Sequence, residues 1–371
     1  MKSWDIFCQV IDNYGDIGVT WRLARQIATE LHQPVRLFVD DLHTFHHICP
    51  QIDPLQDCQR LLGVDIVHWR PDSIVDPSDI VIEAFGCNLS ESIISSMLAR
   101  AQPPIWINLE YLSAEPWIEE CHLLPSPQCH GPAKYFFFPG FTARTGGLLR
   151  ERDLLAERDR FIIEEKAEFL TNLGVEPAPG SSLISLFTYE NPQISSWLDT
   201  LVAGEASIQL LVPPGRIQAD IEHWLGEDKL VLGACYSRGS VVIHPIPFLS
   251  QRDYDRLLWS CDLNFVRGED SFVRAQWAGK PFLWHIYAQD DEAHLQKLSA
   301  FLQLYRQQLD APSAKAMTQF WIDWNRRQDL SEGWTLFTRQ RDSLESHAHV
   351  WCSKLSMQKS LVESLAEFIQ N

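Results

Sequence analysis

Basic residues are in short supply in this chain. Lys and Arg number 31 against 49 Asp and Glu, a formal charge of −18 over 371 residues, which disfavours nonspecific binding to nucleic acid and adhesion to anionic membranes. Long apolar runs are also missing. No stretch approaches the length of a membrane-spanning helix, and the N-terminus has no basic segment followed by an apolar h-region. A cytoplasmic protein is the expectation. No complete Gly-rich dinucleotide fingerprint follows either candidate first strand, which argues against a nicotinamide dehydrogenase. The nine cysteines are odd in number and scattered from Cys8 to Cys352, several within apolar stretches such as those of Cys8 and Cys261. They read as buried thiols in a reducing compartment. Metal-ligand spacing is equally poor: His43, His46, His47 and Cys49, and the pairs Cys121-His122 and Cys129-His130, match no established zinc pattern.

What the chain does have is apolar content for more than one core and a length that suggests two domains. Short β-prone runs alternate with helical ones. Trp4 to Ile11, Val35 to Val39, Val64 to Trp69, Ile80 to Phe85 and Ile105 to Leu109 read as strands, with helical periodicity after the first and over Ser90 to Arg100. The aromatic run Tyr135 to Phe141 reads as either a buried strand or a loop. Arg150 to Leu173 reads as one charged helix, and Gly174 to Gly180, with Pro177 and Pro179, marks a domain boundary. The alternation then restarts, with strands at Leu183 to Phe187, Ile208 to Val212, Val241 to His244, Asp262 to Val266 and Phe282 to Tyr287. This pattern predicts an α/β chain of two doubly wound Rossmann-like domains, 1–155 and 175–350, facing across a cleft, with a terminal helix near 352–371 able to pack back on the first domain. That is the GT-B arrangement, which is shared by proteins of other function.

In such sheets ligands bind at the carboxyl edge of the strands, and the loops there carry the candidate chemistry. The first is Asp12-Asn13-Tyr14-Gly15-Asp16-Ile17-Gly18, between the first strand and its helix. Two carboxylates four residues apart suit a cation, a sugar hydroxyl or a proton to be removed, and they repel phosphate. The competing reading makes Asp12 a turn residue and Asp16 a helix N-cap. Later, Arg267-Gly268-Glu269-Asp270-Ser271 joins a strand to a helix start, where free amides, the Ser271 hydroxyl and Arg267 suit a diphosphate. Its competing reading is a helix capped by Asp270 or Ser271. His244-Pro245-Ile246-Pro247-Phe248-Leu249-Ser250-Gln251 offers a proline-stiffened loop whose Ile246 backbone and Phe248 ring suit a nucleobase. Phe187-Thr188-Tyr189-Glu190-Asn191 adds a hydroxyl. Asp253-Tyr254-Asp255 has metal-binding spacing but falls in a helical run, and it reads as surface.

Together, Asp12 to Gly18, Asn108-Leu109-Glu110-Tyr111-Leu112-Ser113, Phe187-Thr188-Tyr189-Glu190 and Arg267 to Gln276 resemble the bacterial protein-arginine rhamnosyltransferases that modify elongation factor P. The resemblance covers nearly the whole chain. It implies an inverting, metal-independent GT-B transferase with no cofactor, which moves L-rhamnose from the donor substrate TDP-β-L-rhamnose to one arginine of elongation factor P. Carried onto this sequence, Asp16 is the general base, with Asp12 beside it in a loop that faces the acceptor and includes Asn13 and Gly15. Glu110 is a further guanidinium contact. Phe248 stacks on thymine, Gln251 meets the nucleoside or sugar, and Tyr189, Asp270 and Ser271 take the diphosphate region. Glu269 lies near the sugar and Phe187 lines the same pocket. Without the resemblance, the residues leave open a GT-B transferase with a small-molecule acceptor and a noncatalytic nucleotide-sugar binder.

Overall fold

The computed structural model describes residues 1–11, 14–70, 72–128, 131–289 and 292–370. They form two compact units, Met1–Arg152 with Ser356–Asn371, and Asp153–Leu355. The first unit is built on an eight-stranded sheet of β1 (Trp4–Cys8), β2 (Val35–Val39), β3 (Cys58–Leu61), β4 (Val64–His68), β5 (Ile80–Ala84), β6 (Ile105–Leu109), β7 (Pro125–Ser126) and β8 (Lys134–Phe137). Their order is β3-β4-β2-β1-β5-β6-β8-β7. Pairing is parallel from β4 to β8, with antiparallel edge pairs β3/β4 and β7/β8. Strands β1 and β5 are buried along their whole length, as central strands covered on both faces must be. The chain leaves β1 toward β2 and β4, then returns to the other side of β1 as β5. The topological switch point therefore lies between β1 and β5.

The aromatic run left open by its sequence is in part strand β8, and its rings are the floor for the end of the chain. The helix Leu361–Phe368 has a Ser360/Glu363 capping box and sets Phe368 against Tyr135 at 5.2 Å and Phe137 at 6.1 Å. The Leu361 amide donates to the Leu148 carbonyl at 2.9 Å. Leu361, Val362, Leu365 and Ile369 are all buried, each such side chain contributing roughly 1.5–3 kcal/mol. A helix this short would not persist alone, so docking is what forms it.

The second unit repeats the plan with β9 (Ser182–Leu186), β10 (Ile208–Val212), β11 (Tyr236–Arg238), β12 (Val241–Pro245), β13 (Leu263–Arg267) and β14 (Phe282–His285) in the order β11-β12-β10-β9-β13-β14. The pairs are parallel save β11/β12. Its switch point lies between β9 and β13. The charged run after Arg150 forms two helices, Leu154–Glu164 and Lys166–Asn172, in place of the expected single one, with a break at Glu165. No helix among the described residues is long and apolar enough to cross a membrane.

Two readings of polar residues need correction. Cys58 and Cys235 are exposed thiols, while Cys8 and Cys261 are buried as expected. Asp255 is no surface residue: it is buried and meets Arg274 through Nε at 2.9 Å and Nη2 at 2.7 Å. The helical period turns Asp253 and Asp255 to different sides, and Asp253 serves the N-terminal turn of its helix, with its amide donating to Ser250 Oγ at 3.2 Å.

Candidate functional site

In the first unit the loop after β1 is held by two carboxylates. Asp40, at the end of β2, accepts the Val10 amide at 2.9 Å, and Asp16 Oδ2 accepts the Ile11 amide at 2.9 Å. Burial lifts the Asp40 carboxyl above its ordinary value, against the effect of that amide. Asp12 and Asn13 lie outside the described residues. Asp16 is not the helix N-cap. The helix Gly15–Glu30 starts at Gly15 with Tyr14 at the cap position, and Asp16 sits in its first turn, 2 % exposed. A carboxylate there is favoured by the helix dipole and remains a hydrogen-bond acceptor.

The strand β6 brings a second group to the same carboxylate. The Tyr111 hydroxyl donates to Asp16 Oδ1 at 3.3 Å, so backbone and phenol between them engage both oxygens. The Tyr111 ring lies on Phe85 at 4.5 Å and 17°. Phe85 follows β5 with φ +57°, a left-handed conformation costing an aromatic residue about 1–3 kcal/mol. Its amide is held by the Leu109 carbonyl at 2.7 Å. Glu110 is half-buried and accepts Asn108 Nδ2 at 2.6 Å. The switch point of this unit is thus lined by Asp16, Tyr111 and Phe85. Sequence reading assigned no role to Tyr111 or Phe85, because the partner of Tyr111 lies far away in the chain.

In the second unit the end of β13 carries Arg267, 8 % exposed, with its guanidinium carbon 4.6 Å from the Phe187 ring centre and 4.8 Å from that of Tyr189. Among the described residues it makes no ion pair. A desolvated guanidinium between two rings gains about 2 kcal/mol or more from each good cation–π contact, which offsets part of the several kcal/mol that burying a charge without a counter-ion costs. A buried cation in such a place suits an anion. The helix Glu269–Ala278 begins beside it with Gly268 as N-cap, at φ +65°, so neither Asp270 nor Ser271 caps that helix. Glu269 and Asp270 lie in its first turn and weaken its pull on an anion; Gln251 Nε2 reaches Asp270 Oδ2 at 3.4 Å. Arg267 therefore outweighs the helix start as an anion anchor.

Two expected donors are already engaged. The Ser271 hydroxyl donates to the Arg267 carbonyl and accepts the Arg267 amide at 3.2 Å, closing the strand-to-helix turn. What Ser271 can offer a ligand is its main chain. The Ile246 amide likewise extends the sheet by donating to the Val212 carbonyl at 3.1 Å, which removes it as a nucleobase donor. Phe248 is half-buried and Tyr189 nearly fully buried. His285, at the end of β14, meets the Tyr189 ring edge-on at 5.3 Å. Burial pushes its pKa down to about 3, with the nearby Arg327 and Arg267 charges adding to the effect. The imidazole is neutral, and its Nδ1 has no hydrogen-bond partner among the described residues.

Comparison with known proteins places the whole chain in a family. The family model for the elongation factor P (EF-P) rhamnosyltransferase EarP matches residues 4–370. This chain belongs to that family. It is 52 % identical over 372 residues to the protein-arginine rhamnosyltransferase of Pseudomonas putida, covering 100 % of this chain and 99 % of that one. Against the protein of the same name from Pseudomonas aeruginosa it is 51 % identical, covering 99 % of each. A solved structure described as the structural basis for EarP-mediated arginine glycosylation of translation elongation factor EF-P superposes with TM-score 0.73 at 39 % identity, covering 100 % of this chain and 99 % of that one. The MurG structure from Acinetobacter baumannii, at 12 % identity, TM-score 0.51 and 99 % coverage of both chains, shares the fold alone. The fold class is GT-B, as the alternation of strands and helices predicted.

Proposed function

We propose that this chain transfers L-rhamnose from TDP-β-L-rhamnose to an arginine side chain of elongation factor P, with inversion at the anomeric carbon and without a metal. The observation that carries the proposal is the opposite polarity of the two switch points. One presents an oriented carboxylate, Asp16, and the other a buried guanidinium, Arg267, between aromatic rings. A cationic acceptor suits the first, and an anionic, base-bearing donor suits the second.

In this reading Arg267 and the main chain of the Glu269–Ala278 helix start hold the diphosphate. Phe248 stacks on the thymine. Phe187 and Tyr189 wall the pocket, Gln251 positions Asp270, and Glu269 with Asp270 accepts hydrogen bonds from the sugar or ribose hydroxyls. An arginine side chain has a pKa above about 12 and arrives protonated. Asp16, with Asp12 and Glu110, pairs with the guanidinium and turns one nitrogen toward the anomeric carbon. The new C–N bond forms as the bond to the TDP oxygen breaks. Asp16 takes the proton released from nitrogen, and Arg267 stabilises the charge gathering on the leaving diphosphate. Attack opposite the leaving group gives inversion.

The test is incubation with TDP-rhamnose and elongation factor P, read by intact mass. One added deoxyhexose is expected on the acceptor, mapping to an arginine. Asp16→Asn should slow transfer by about 10²- to 10⁴-fold while TDP affinity stays within about twofold, since Asp16 belongs to the other unit from Arg267. Absence of the added mass with folded components would refute the proposal.

A further inference from the structure

We infer that Tyr111 is a positioning residue for the Asp16 carboxylate, an assignment that rests on the proposed role of Asp16 as the base. Fixing a carboxylate plane takes a constraint on each oxygen. The Ile11 amide, on the loop leaving β1, supplies one on Oδ2 at 2.9 Å. A constraint on Oδ1 is the Tyr111 hydroxyl at 3.3 Å.

That hydroxyl is itself located by construction. Tyr111 follows the end of β6 by two residues, and its side chain, 37 % exposed, would sweep a wide arc if left to solvent. The stack on Phe85, at 4.5 Å and 17°, removes that freedom. Phe85 is 8 % exposed and is held in a left-handed backbone conformation by the Leu109 carbonyl, from the last residue of β6. Gly86 follows, also at positive φ, +66°. Backbone strain of this kind persists where surrounding structure enforces it, and it gathers at functional sites. The Phe85 ring bears on Tyr111, and Tyr111 bears on Asp16.

The chain from Phe85 to Tyr111 to Asp16 therefore sets the direction from which a guanidinium nitrogen meets the carboxylate. Proton removal depends on that direction, and misorientation of a catalytic group by a fraction of an ångström lowers turnover more than binding. Tyr111→Phe keeps the ring and its stack and deletes only the hydroxyl, so the fold is preserved.

The experiment measures acceptor glycosylation by intact mass over a range of acceptor concentrations for the wild type, Tyr111→Phe, Asp16→Asn and the double variant, with incubation long enough that slow rates remain readable. TDP titration runs alongside. We expect Tyr111→Phe to lower kcat about tenfold, with acceptor KM and TDP affinity within about twofold of wild type. In the Asp16→Asn background it should cause no further loss, because a residue acting through Asp16 has nothing left to act on. Wild-type kcat in Tyr111→Phe overturns the inference. So does the same fractional loss in both backgrounds, which would place the hydroxyl on the substrate. Wild-type turnover in Asp16→Asn would instead remove the base assignment, a failure of the proposed function that is read separately from the Tyr111 comparison.

Discussion

Replacing Arg274 with Met tests whether the site proposed around Arg267 depends on a buried ion pair. Arg274 and Asp255 are 2 % and 6 % exposed and meet through two parallel hydrogen bonds, Nε to Oδ1 at 2.9 Å and Nη2 to Oδ2 at 2.7 Å. The pair ties the helix Gln251–Ser260 to the helix Glu269–Ala278. The first helix begins with Gln251, and the second carries Glu269, Asp270 and Ser271 in its opening turn. Met fills similar volume, but it leaves the Asp255 carboxylate buried without its cation, which costs about 3–5 kcal/mol. That is a large share of a total stability of about 5–15 kcal/mol. Changing both residues, Asp255→Leu with Arg274→Met, removes the orphaned charge, and the double variant should recover to within about 1–2 kcal/mol of wild type. Urea unfolding gives the three stabilities, and calorimetric TDP titration reports the half-site. Arg274→Met should weaken TDP binding severalfold through loss of registry between the helices. A cost below about 1 kcal/mol for Arg274→Met, or a double variant no more stable than Arg274→Met, would refute the reasoning.

Other expectations follow from the same unit. Arg267→Met should weaken TDP binding about 10- to 100-fold, as loss of charge-assisted hydrogen bonds worth about 1.5–3 kcal/mol requires, and Arg267→Lys should recover only part of it because the planar stack between Phe187 and Tyr189 is lost. Unchanged TDP affinity in Arg267→Met would remove Arg267 as the anion anchor. His285, held near pKa 3 by burial, binds its proton more readily in the unfolded chain. Its contribution is therefore fully present above the ordinary value of about 6.5 and is lost as pH falls toward 3. Between pH 7.5 and pH 5 the linkage amounts to about 2 kcal/mol. His285→Gln should shrink the drop in urea stability between those two pH values by that amount, and an unaltered drop would exclude the linkage.

The central strands were legible because a strand covered on both faces reads as a near-continuous apolar run, as β1, β5, β10 and β13 do apart from the buried Asp5, Glu83, Gln209, Asn264 and Arg267. The edge strands β3 and β11 were not, since Cys58–Leu61 and Tyr236–Arg238 are half exposed and carry no apolar run. The break at Glu165 has neither Gly nor Pro to announce it. Within the site, loop positions were readable, but hydrogen-bond assignments were not. Ser271 and Ile246 looked like ligand donors in sequence because free donors are common at helix starts and loops; the fold spends both on its own main chain. Asp255 looked exposed because its partner, Arg274, stands 19 residues further on, in another helix. Tyr111 stood within a motif but its role was not legible, for the same reason at greater range, its hydrogen bond to Asp16 spanning 95 positions.

The two units also show why the fold alone could not have assigned the ligands. Each has a switch point of the same topology, between β1 and β5 in one and between β9 and β13 in the other. Each is followed by a helix with acidic residues in its first turn, Asp16 in one and Glu269 with Asp270 in the other. On helix starts alone both would favour the same class of ligand. The difference comes from what the adjoining strand end contributes. In the first unit β6 delivers a neutral phenol, which orients the carboxylate and leaves the site negative. In the second, β13 ends on a guanidinium that two aromatic rings hold near the helix start, and that single buried charge reverses the preference toward an anion. A transferase joining a cationic acceptor to an anionic donor needs this contrast, and one substitution at position 267 should be enough to abolish it.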